Sequence, residues 1–251
     1  MRSMKSKKYT FGGVTFEVEY PDTANENDNC AAFLSGEMPD YRIQLCIRDD
    51  ISPGNSCVQT GNVITKFMKS IPDTGINTAS VLAGSKAAFL FLNHDAFILH
   101  ASYIVHNGQA ILFTAPSGTG KSTQADYWKD ERGAEIINGD RVLVTRRNGQ
   151  FYANGIYASG TSGICKNHTA PIRAIVLLEQ GESNTVNAIP PRMMFLRILC
   201  ECSYDLNDTV QCAKITELAA DMINSVTTLC YRCKKSPDAV GALERILWNR
   251  E

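Results

Sequence analysis

The 251 residues, 44% of them hydrophobic and 20% charged, suit one large or two small globular domains and exclude disordered, collagen-like and coiled-coil classes. Lysine and arginine number 25 and aspartate and glutamate 26, so the net charge of -1 provides no electrostatic footprint for nucleic acid. No apolar run approaches the ~20 residues that span a bilayer, and no signal peptide is recognisable, so we expect a soluble, cytoplasmic protein without nucleic-acid or membrane partners.

The first third of the chain predicts strands rather than helices. Residues 11–20 alternate in part between apolar and polar side chains, Tyr41–Ile47 alternate well, and residues 87–92 form a short apolar run. Polar or Gly/Pro-punctuated stretches at 22–29 and 52–56 predict loops between these runs. We therefore expect residues 1–94 to form a β-rich N-terminal portion, a natural place for substrate selection.

A hairpin is predicted at the start of the second portion, which spans residues 95–251. Asn107-Gly108 is the strongest short signal for a type I′ turn, because both central residues of that turn need positive φ. Runs of apolar residues at 97–105 and 109–114 flank this pair. Two antiparallel strands are therefore expected to lead into the segment that follows.

The next elements alternate between helix and strand. A helix is predicted to begin near Lys121 and to end at Gly133. Residues 135–144 predict a strand that is interrupted near its middle, and the Asn-Gly pair at 148–149 predicts a second hairpin. This order of strand, loop, helix and strand is typical of an α/β domain.

The C-terminal part predicts one strongly buried strand and three helices. The strand is expected at 172–179, where the residues are almost continuously apolar. Helices are expected over 191–200 and over 209–224, the latter with an apolar face. A last helix is expected to follow Ser236, which is a good N-cap residue and precedes a proline.

Nine cysteines in a chain without a secretory segment favour reduced thiols over a disulfide framework. Cys230 and Cys233 are the closest pair with metal-ligand spacing, but they lie in a β-branched run at 226–233 that predicts a strand. Residues three apart on a strand face opposite ways, and no partner segment rich in cysteine or histidine accompanies them. We therefore expect structural thiols rather than a zinc site.

A glycine-rich loop at 115–120 carries the functional prediction. Glycines let consecutive backbone N–H groups point inward, and the N-terminus of the following helix adds a positive end, so the loop predicts an anion cradle. Lys121 would neutralise the β- and γ-phosphates of a nucleotide, and the hydroxyl of Ser122 would bind Mg²⁺. The loop matches the Walker A pattern except that Ala115 replaces its first glycine. The residues expected to hold the nucleotide are Ser117, Gly118, Thr119, Gly120, Lys121, Ser122 and Thr123.

Asp140 is the candidate for the acid that such a site needs, because a single serine hydroxyl cannot hold Mg²⁺. It follows the strand predicted at 135–138, and a helix and a return turn between loop and strand would bring it back beside the loop. Two alternatives without a functional role stay open. The loop can be a Gly/Ser turn with an incidental lysine, and Asp140 can belong to an ordinary Asn-Gly-Asp turn.

The order of His100, an Asn-Gly hairpin, the phosphate loop, a helix and Asn138-Gly-Asp-Arg-Val142 resembles the catalytic domain of the HPr serine kinase/phosphorylase family. That family is related to ATP-dependent phosphoenolpyruvate carboxykinase, and similar small proteins include kinases that phosphorylate a serine of lasso-peptide precursors. The likeness is clear over about residues 95 to 145. It implies a P-loop core with a mixed β-sheet and flanking helices, with ATP and Mg²⁺ as cofactors.

The resemblance also implies roles for individual residues. His100 matches the histidine before the hairpin, Lys121 and Ser122 match the phosphate-loop pair, and Asp140 matches the second of two adjacent aspartates. The first of those aspartates is Gly139 here. Either Asp140 therefore both binds metal and deprotonates the acceptor, or His100 acts as the base, or the protein binds nucleotide without transferring phosphate.

A second hydroxyl-rich segment, at 159–163, is followed by Lys166 and has the character of a loop that could close over phosphates. Arg173 and Arg192 could supply further positive charge to the site. The alternative is an ordinary surface turn with solvated cations.

The sequence thus predicts a kinase that uses ATP and Mg²⁺ and transfers the γ-phosphoryl group to a serine of a small protein or peptide. Its catalytic residues would be Asp140, His100 and Lys121, with Ser122 and Asp140 as metal ligands. A regulatory module that binds nucleotide without catalysis and a carboxykinase-like enzyme are the alternatives. The choice between ATP and GTP, the acceptor and the oligomeric state stay open, a homo-oligomer among the options.

Overall fold

The structure is a computed structural model that describes residues 3–51 and 56–248. Contacts divide the chain into one unit up to Phe91 and a second from Leu92. Of the loop predicted at 52–56, only Ser56 lies within the described residues. In that described part, no helix combines the length and the apolar composition needed to cross a membrane.

The first unit is built mainly of strands. The elements are β1 (Met4–Phe11), β2 (Val14–Pro21), β3 (Glu26–Asn27), β4 (Tyr41–Ile47), β5 (Cys57–Thr60), β6 (Val63–Met68), β7 (Ile76–Asn77), α1 (Thr78–Gly84) and α2 (Ala87–Leu90). The strand order in the main sheet is β1-β2-β4-β6-β5, and β3 and β7 form a separate pair.

One prediction in this unit holds in part and one is wrong. The strand predicted at 11–20 is divided, because Gly12 and Gly13 have φ values of 57° and 91° and form the turn of an antiparallel hairpin between β1 and β2. The apolar run at 87–92 starts with a helical turn, α2, instead of a strand. Ala87 and Leu90 are both buried, which is the three-residue spacing of one helical face.

The second unit is a mixed α/β structure with helices on both faces of a mixed sheet. Its strands are β8 (Ala96–His100), β9 (Ser102–His106), β10 (Gln109–Thr114), β11 (Glu135–Asn138), β12 (Arg141–Arg147), β13 (Gln150–Asn154), β14 (Thr169–Gln180), β15 (Thr185–Ala188) and β16 (Thr227–Cys233). Its helices are α3 (Lys121–Arg132), α4 (Pro191–Glu201), α5 (Thr209–Ser225) and α6 (Ala239–Trp248).

The strand order in this unit is β11-β9-β10-β14-β13-β12-β8, and β16 pairs with both β14 and β15. The three strands β10, β14 and β16 are parallel, whereas β9, β11, β12, β13 and β15 run antiparallel to their neighbours. Strand β14 joins the two halves, because its first residues pair with β13 and the rest lie between β10 and β16. It matches the buried strand predicted at 172–179.

Two apolar cores fill the two faces of this sheet. One packs α3 and α6 against β10, β14 and β16, and includes Trp128 and Val240. The other packs α4 and α5 against the opposite face, and includes Met194 and Leu218. The prediction that 226–233 is a strand is confirmed, with Cys230 packed on the second core and Cys233 on the first.

The segment predicted as one strand at 97–105 is two strands. Ala101 interrupts it, so that β8 ends at His100 and pairs with β12, while β9 pairs with β10 and β11. Periodicity alone misses this change, because both pieces are apolar and buried. The break leaves His100 at the end of a strand, next to the turn between β11 and β12.

Both Asn-Gly hairpins are confirmed. Asn107 and Gly108 have φ values of 49° and 71°, and the pair at 148–149 has values of 51° and 77°. The last helix begins at Ala239, later than the sequence suggests, and Ser236 donates its hydroxyl to Asp238 in the preceding turn.

An ion-pair network ties β12 to α5. The guanidinium of Arg146 lies 3.0 Å from Asp95 and 2.8 Å from Glu217 and also contacts Asp221, and Lys214 lies 2.7 Å from Asp95. Because these partners form a network, we expect Arg146→Gln to lower the free energy of unfolding by about 1–2 kcal/mol. Urea denaturation at low and at high salt measures the loss, which is expected to shrink in high salt.

A matched control for this network is the isolated, exposed pair of Lys166 and Glu135, at 2.8 Å. We expect Lys166→Gln to change the free energy of unfolding by less than about 0.5 kcal/mol. Equal losses in the two variants would contradict the assignment of a stabilising network around Arg146.

Candidate functional site

The glycine-rich loop connects the end of β10 to the start of α3, as the sequence predicts. Gly118 and Gly120 have φ values of 78° and 120°, a region that side chains with a Cβ rarely adopt. Gly120 is the N-cap of α3 and offers no side chain to cap it, and the first turn holds no acidic residue. The first backbone N–H groups of any helix lack an intrahelical partner, and here no N-cap side chain binds them either, which is the condition for binding an anion.

Lys121 begins this helix and is only 8% exposed. Its Nζ donates to the carbonyl oxygen of Ala115 at 2.8 Å, across the loop. Burial lowers the pKa of the Lys121 ammonium, while the carboxylates of Glu201 and Asp140 favour its charged form. A desolvated ammonium of this kind gains strongly from a nearby phosphate, because the local environment screens the attraction less than water does.

Asp140 lies in the turn between β11 and β12, and a buried asparagine shapes that turn. The Asn138 side chain accepts from the backbone N–H groups of Asp140 at 2.9 Å and Arg141 at 3.0 Å. Its amide nitrogen donates to the carbonyl oxygens of Ile156 at 3.2 Å and Ala158 at 2.9 Å. Asn138 therefore connects the turn that carries Asp140 to the segment after β13.

We expect Asn138→Ala to lower the free energy of unfolding by about 2–4 kcal/mol, because it leaves several backbone groups near Asn138 without their partner. Chemical denaturation followed by tryptophan fluorescence measures this loss. The control is Asn187→Ala, an exposed position on β15, which is expected to change the value by less than about 0.5 kcal/mol. A similar loss in both variants would refute the structural role of Asn138.

His100 lies between two carboxylates. Its Nε2 is 3.3 Å from Oδ1 of Asp140, and its Nδ1 is 2.9 Å from Oε2 of Glu201. Glu201 is also 3.6 Å from Arg197, one turn earlier on α4. The Thr114 hydroxyl, at the end of β10, donates to the His100 carbonyl at 3.3 Å and so connects the end of β8 to the loop.

These elements enclose a single cavity of about 290 Å³, here called the loop cavity. It is lined by both sets of predicted residues, those of the loop and those of the β11–β12 turn. The lining residues are His100, Ser117, Gly118, Gly120, Lys121, Ser122, Thr123, Gly139, Asp140 and Lys235. Thr119, which the sequence places with them, lines two neighbouring cavities.

The space beside Gly139 is occupied by another segment of the chain. A Cβ on Gly139 would lie 2.6 Å from Oγ of Ser162, and a Cβ on Gly160 would lie 2.6 Å from Cβ of Asp140. Gly160 also has a φ of 57°. The segment at 159–163 thus packs directly on Gly139 and Asp140, which excludes a side chain at position 139 without local rearrangement.

The cations that the sequence groups with this segment lie elsewhere. Lys166 pairs with Glu135, and the Arg173 guanidinium donates to the carbonyl oxygen of Leu247 on α6. Arg192 lines a different cavity, with Phe195 and Asn224. The alternative of ordinary cations that do not serve the loop cavity therefore fits Lys166, Arg173 and Arg192.

Sequence reasoning missed two residues near the loop cavity. Glu201 contacts His100 from the end of α4, and Lys235 lines the cavity just after β16. Neither carries a local motif, and both are distant in the chain from the loop. The only feature of the sequence that sets Glu201 apart is its position at the end of a predicted apolar helix.

The residues present fit a nucleotide with magnesium. The uncapped first turn of α3 and the buried Lys121 suit phosphate oxygens, and Ser122 and Asp140 are oxygen donors of the kind that Mg²⁺ prefers. In the described ranges, no group of three or more His, Cys, Asp or Glu side chains is placed to hold a metal ion. Mg²⁺ typically takes one or two carboxylates together with phosphate oxygens and water.

No family model matches the chain, and no curated protein matches it. Among solved structures, it is similar to one described as the HPr(Ser) kinase/phosphatase from Coxiella burnetii. The identity is 16%, the match covers 37% of this chain and 72% of that chain, and the TM-score is 0.28. What the site does is therefore inferred from its own residues.

Proposed function

We propose that the protein is a kinase that uses ATP and Mg²⁺ and phosphorylates a serine hydroxyl of a small protein or peptide. One observation carries this proposal. An uncapped helix N-terminus, a buried lysine, a serine hydroxyl, a carboxylate and a histidine all line the loop cavity of about 290 Å³. This combination serves phosphoryl transfer, which depends on positioning and charge stabilisation more than on covalent chemistry.

Each residue has a role in this proposal. Lys121 and the first N–H groups of α3 bind the β- and γ-phosphates and stabilise the charge of the transferring group. Ser122 and Asp140 hold Mg²⁺, and the bound Mg-ATP supplies the phosphoryl group. Asp140 or His100 orients the acceptor hydroxyl and takes its proton, and Glu201 holds His100 in place through the contact at 2.9 Å.

The direct test incubates the purified protein with Mg-ATP and with serine-containing peptides and small proteins encoded beside its gene. We expect phosphoserine in one of them, detected by mass spectrometry, and release of ADP that depends on that acceptor. Absence of any labelled serine across these candidates would count against the kinase. The identity of the labelled acceptor distinguishes two kinds of kinase. A labelled precursor peptide would indicate peptide modification, and a labelled sugar-transport phosphocarrier would indicate phosphorylation of that protein.

A second candidate is a module that binds ATP without transferring phosphate. Ser162 packs against Gly139 and fills the space that a side chain at this position would need. The turn therefore carries one acid where the HPr kinase pattern has two, which favours this candidate. Tight Mg-ATP binding without ADP release, in the presence of every candidate acceptor, would support this module.

A further inference from the structure

Lys235 is a cation beside the loop, and its side chain has no partner among the described residues. It is exposed, follows β16 and lines the loop cavity with Lys121 and Thr123. Its neighbour Lys234 pairs with Asp238 at 3.8 Å, whereas the described residues provide Lys235 with no ion pair or hydrogen bond. Its ammonium is therefore available for a ligand.

A second cavity, of about 220 Å³, adjoins the loop cavity between the start of α3 and the ends of β14 and β16. We call it the α3–β14 cleft. It shares Gly120, Thr123 and Lys235 with the loop cavity. Its other lining residues include Gln124, Leu178 and Cys233, which combine amide hydrogen-bonding groups with apolar surface, and also the charged Glu182 and Lys234. The amide and apolar part suits a heteroaromatic base and its ribose.

The third cavity beside the loop, of about 470 Å³, has a different character. It shares Ser117 and Gly118 with the loop cavity and includes Arg197. Arg197 contacts Glu201, which contacts His100, so this cavity lies on the side of the proposed proton acceptor. We therefore assign the acceptor to this cavity, which leaves the α3–β14 cleft for the other end of the nucleotide.

We propose that the nucleoside of the bound nucleotide occupies the α3–β14 cleft and that Lys235 binds its phosphates at the junction with the loop cavity. The inference rests on the proposed function, and it adds a nucleoside subsite and a second phosphate-binding cation. The cleft and the loop cavity both border the first turn of α3, where they share Thr123 as a lining residue. One nucleotide can therefore extend from the cleft to Lys121.

The first test measures the affinity for Mg-ATP and for inorganic tripolyphosphate by calorimetry. We expect Lys235→Gln to weaken both by about 10-fold, because a charge-assisted contact is lost. Lys235→Arg is expected to restore most of the affinity. The control is Lys129→Gln, an exposed lysine in the last turn of α3, which is expected to change neither. Unchanged affinity in Lys235→Gln would overturn the role of Lys235.

The second test places the nucleoside by protection of a thiol. Cys233 lines the cleft and accepts from Gln124 at 3.3 Å, whereas Cys200 is exposed on α4 and serves as the internal reference. Burial raises the pKa of Cys233, and the thiolate is the reactive form, so the reaction with methyl methanethiosulfonate is carried out at alkaline pH. Peptide mass mapping measures its extent at each cysteine. We expect Mg-ATP to protect Cys233 and not Cys200, and tripolyphosphate to protect neither.

The outcomes separate this inference from the proposed function. Equal reactivity of Cys233 with and without bound Mg-ATP would overturn the nucleoside subsite alone. Equal protection by tripolyphosphate would also overturn it, since that ligand has no nucleoside. Failure of the unaltered protein to bind Mg-ATP would overturn the proposed function itself.

Discussion

Lys121→Ala is expected to slow phosphoryl transfer severely and to weaken Mg-ATP binding. The variant removes a cation that is buried beside the uncapped N-terminus of α3 and lines the loop cavity. Removing one preorganised group that stabilises charge costs about 100- to 1,000-fold in rate, so we expect a loss at the upper end of that range. Steady-state ADP release with an acceptor measures the rate, and calorimetry measures the binding.

The folded state should survive this substitution. Burial disfavours the charged Lys121, so its removal offsets part of the loss of the hydrogen bond to Ala115. We expect the unfolding midpoint to change by less than about 4 °C. The matched control is Lys129→Ala at the far end of the same helix, where the side chain is exposed. Full activity in Lys121→Ala would contradict the assignment of phosphate binding to this loop.

Asp140→Asn is expected to stop phosphoryl transfer while the nucleotide still binds. Asparagine has nearly the same shape as aspartate, so the turn held by Asn138 should persist, but it is a poor Mg²⁺ ligand and no base. We expect turnover to fall by about 1,000-fold. Without magnesium, calorimetry should show that the variant and the unaltered protein bind ATP with similar affinity. With magnesium, only the unaltered protein should bind ATP more tightly.

The control for this variant is Asp130→Asn, an exposed acid on α3 that is expected to keep full turnover. Retained turnover in Asp140→Asn would contradict both roles proposed for this carboxylate. A loss of turnover with intact magnesium-dependent binding would assign Asp140 to proton transfer alone. Magnesium would then depend on Ser122 and phosphate oxygens.

Elements with a strong local pattern could be predicted from the sequence. The Asn-Gly pair at 107–108 needs positive φ, the glycines of the loop and Gly133 delimit α3, and residues 172–179 are apolar enough for a central strand. Each of these predictions depends on the conformational preferences of a few neighbouring residues. The structure confirms all of them to within a few residues.

Predictions failed where neighbouring segments have the same apolar character. The break at Ala101 divides two buried strands, and α2 replaces an expected strand at the end of the first unit. Local composition does not distinguish these cases, because burial on either side of a sheet or on a helix selects the same apolar residues. The partners of Lys166 and Arg173 could not be predicted for a related reason, since a positive charge in sequence does not reveal its partner.

The sequence by itself determined the local chemistry: a glycine loop ahead of a helix, a lysine and a serine at its start, and an acid after a short strand. Only the tertiary structure decided that His100, Asp140 and Lys121 line one cavity, that Glu201 contacts the histidine, and that Ser162 fills the space beside Gly139. These contacts join residues far apart in the chain. They depend on the pairing of β8 with β12 and on the packing of α4, which no local pattern encodes.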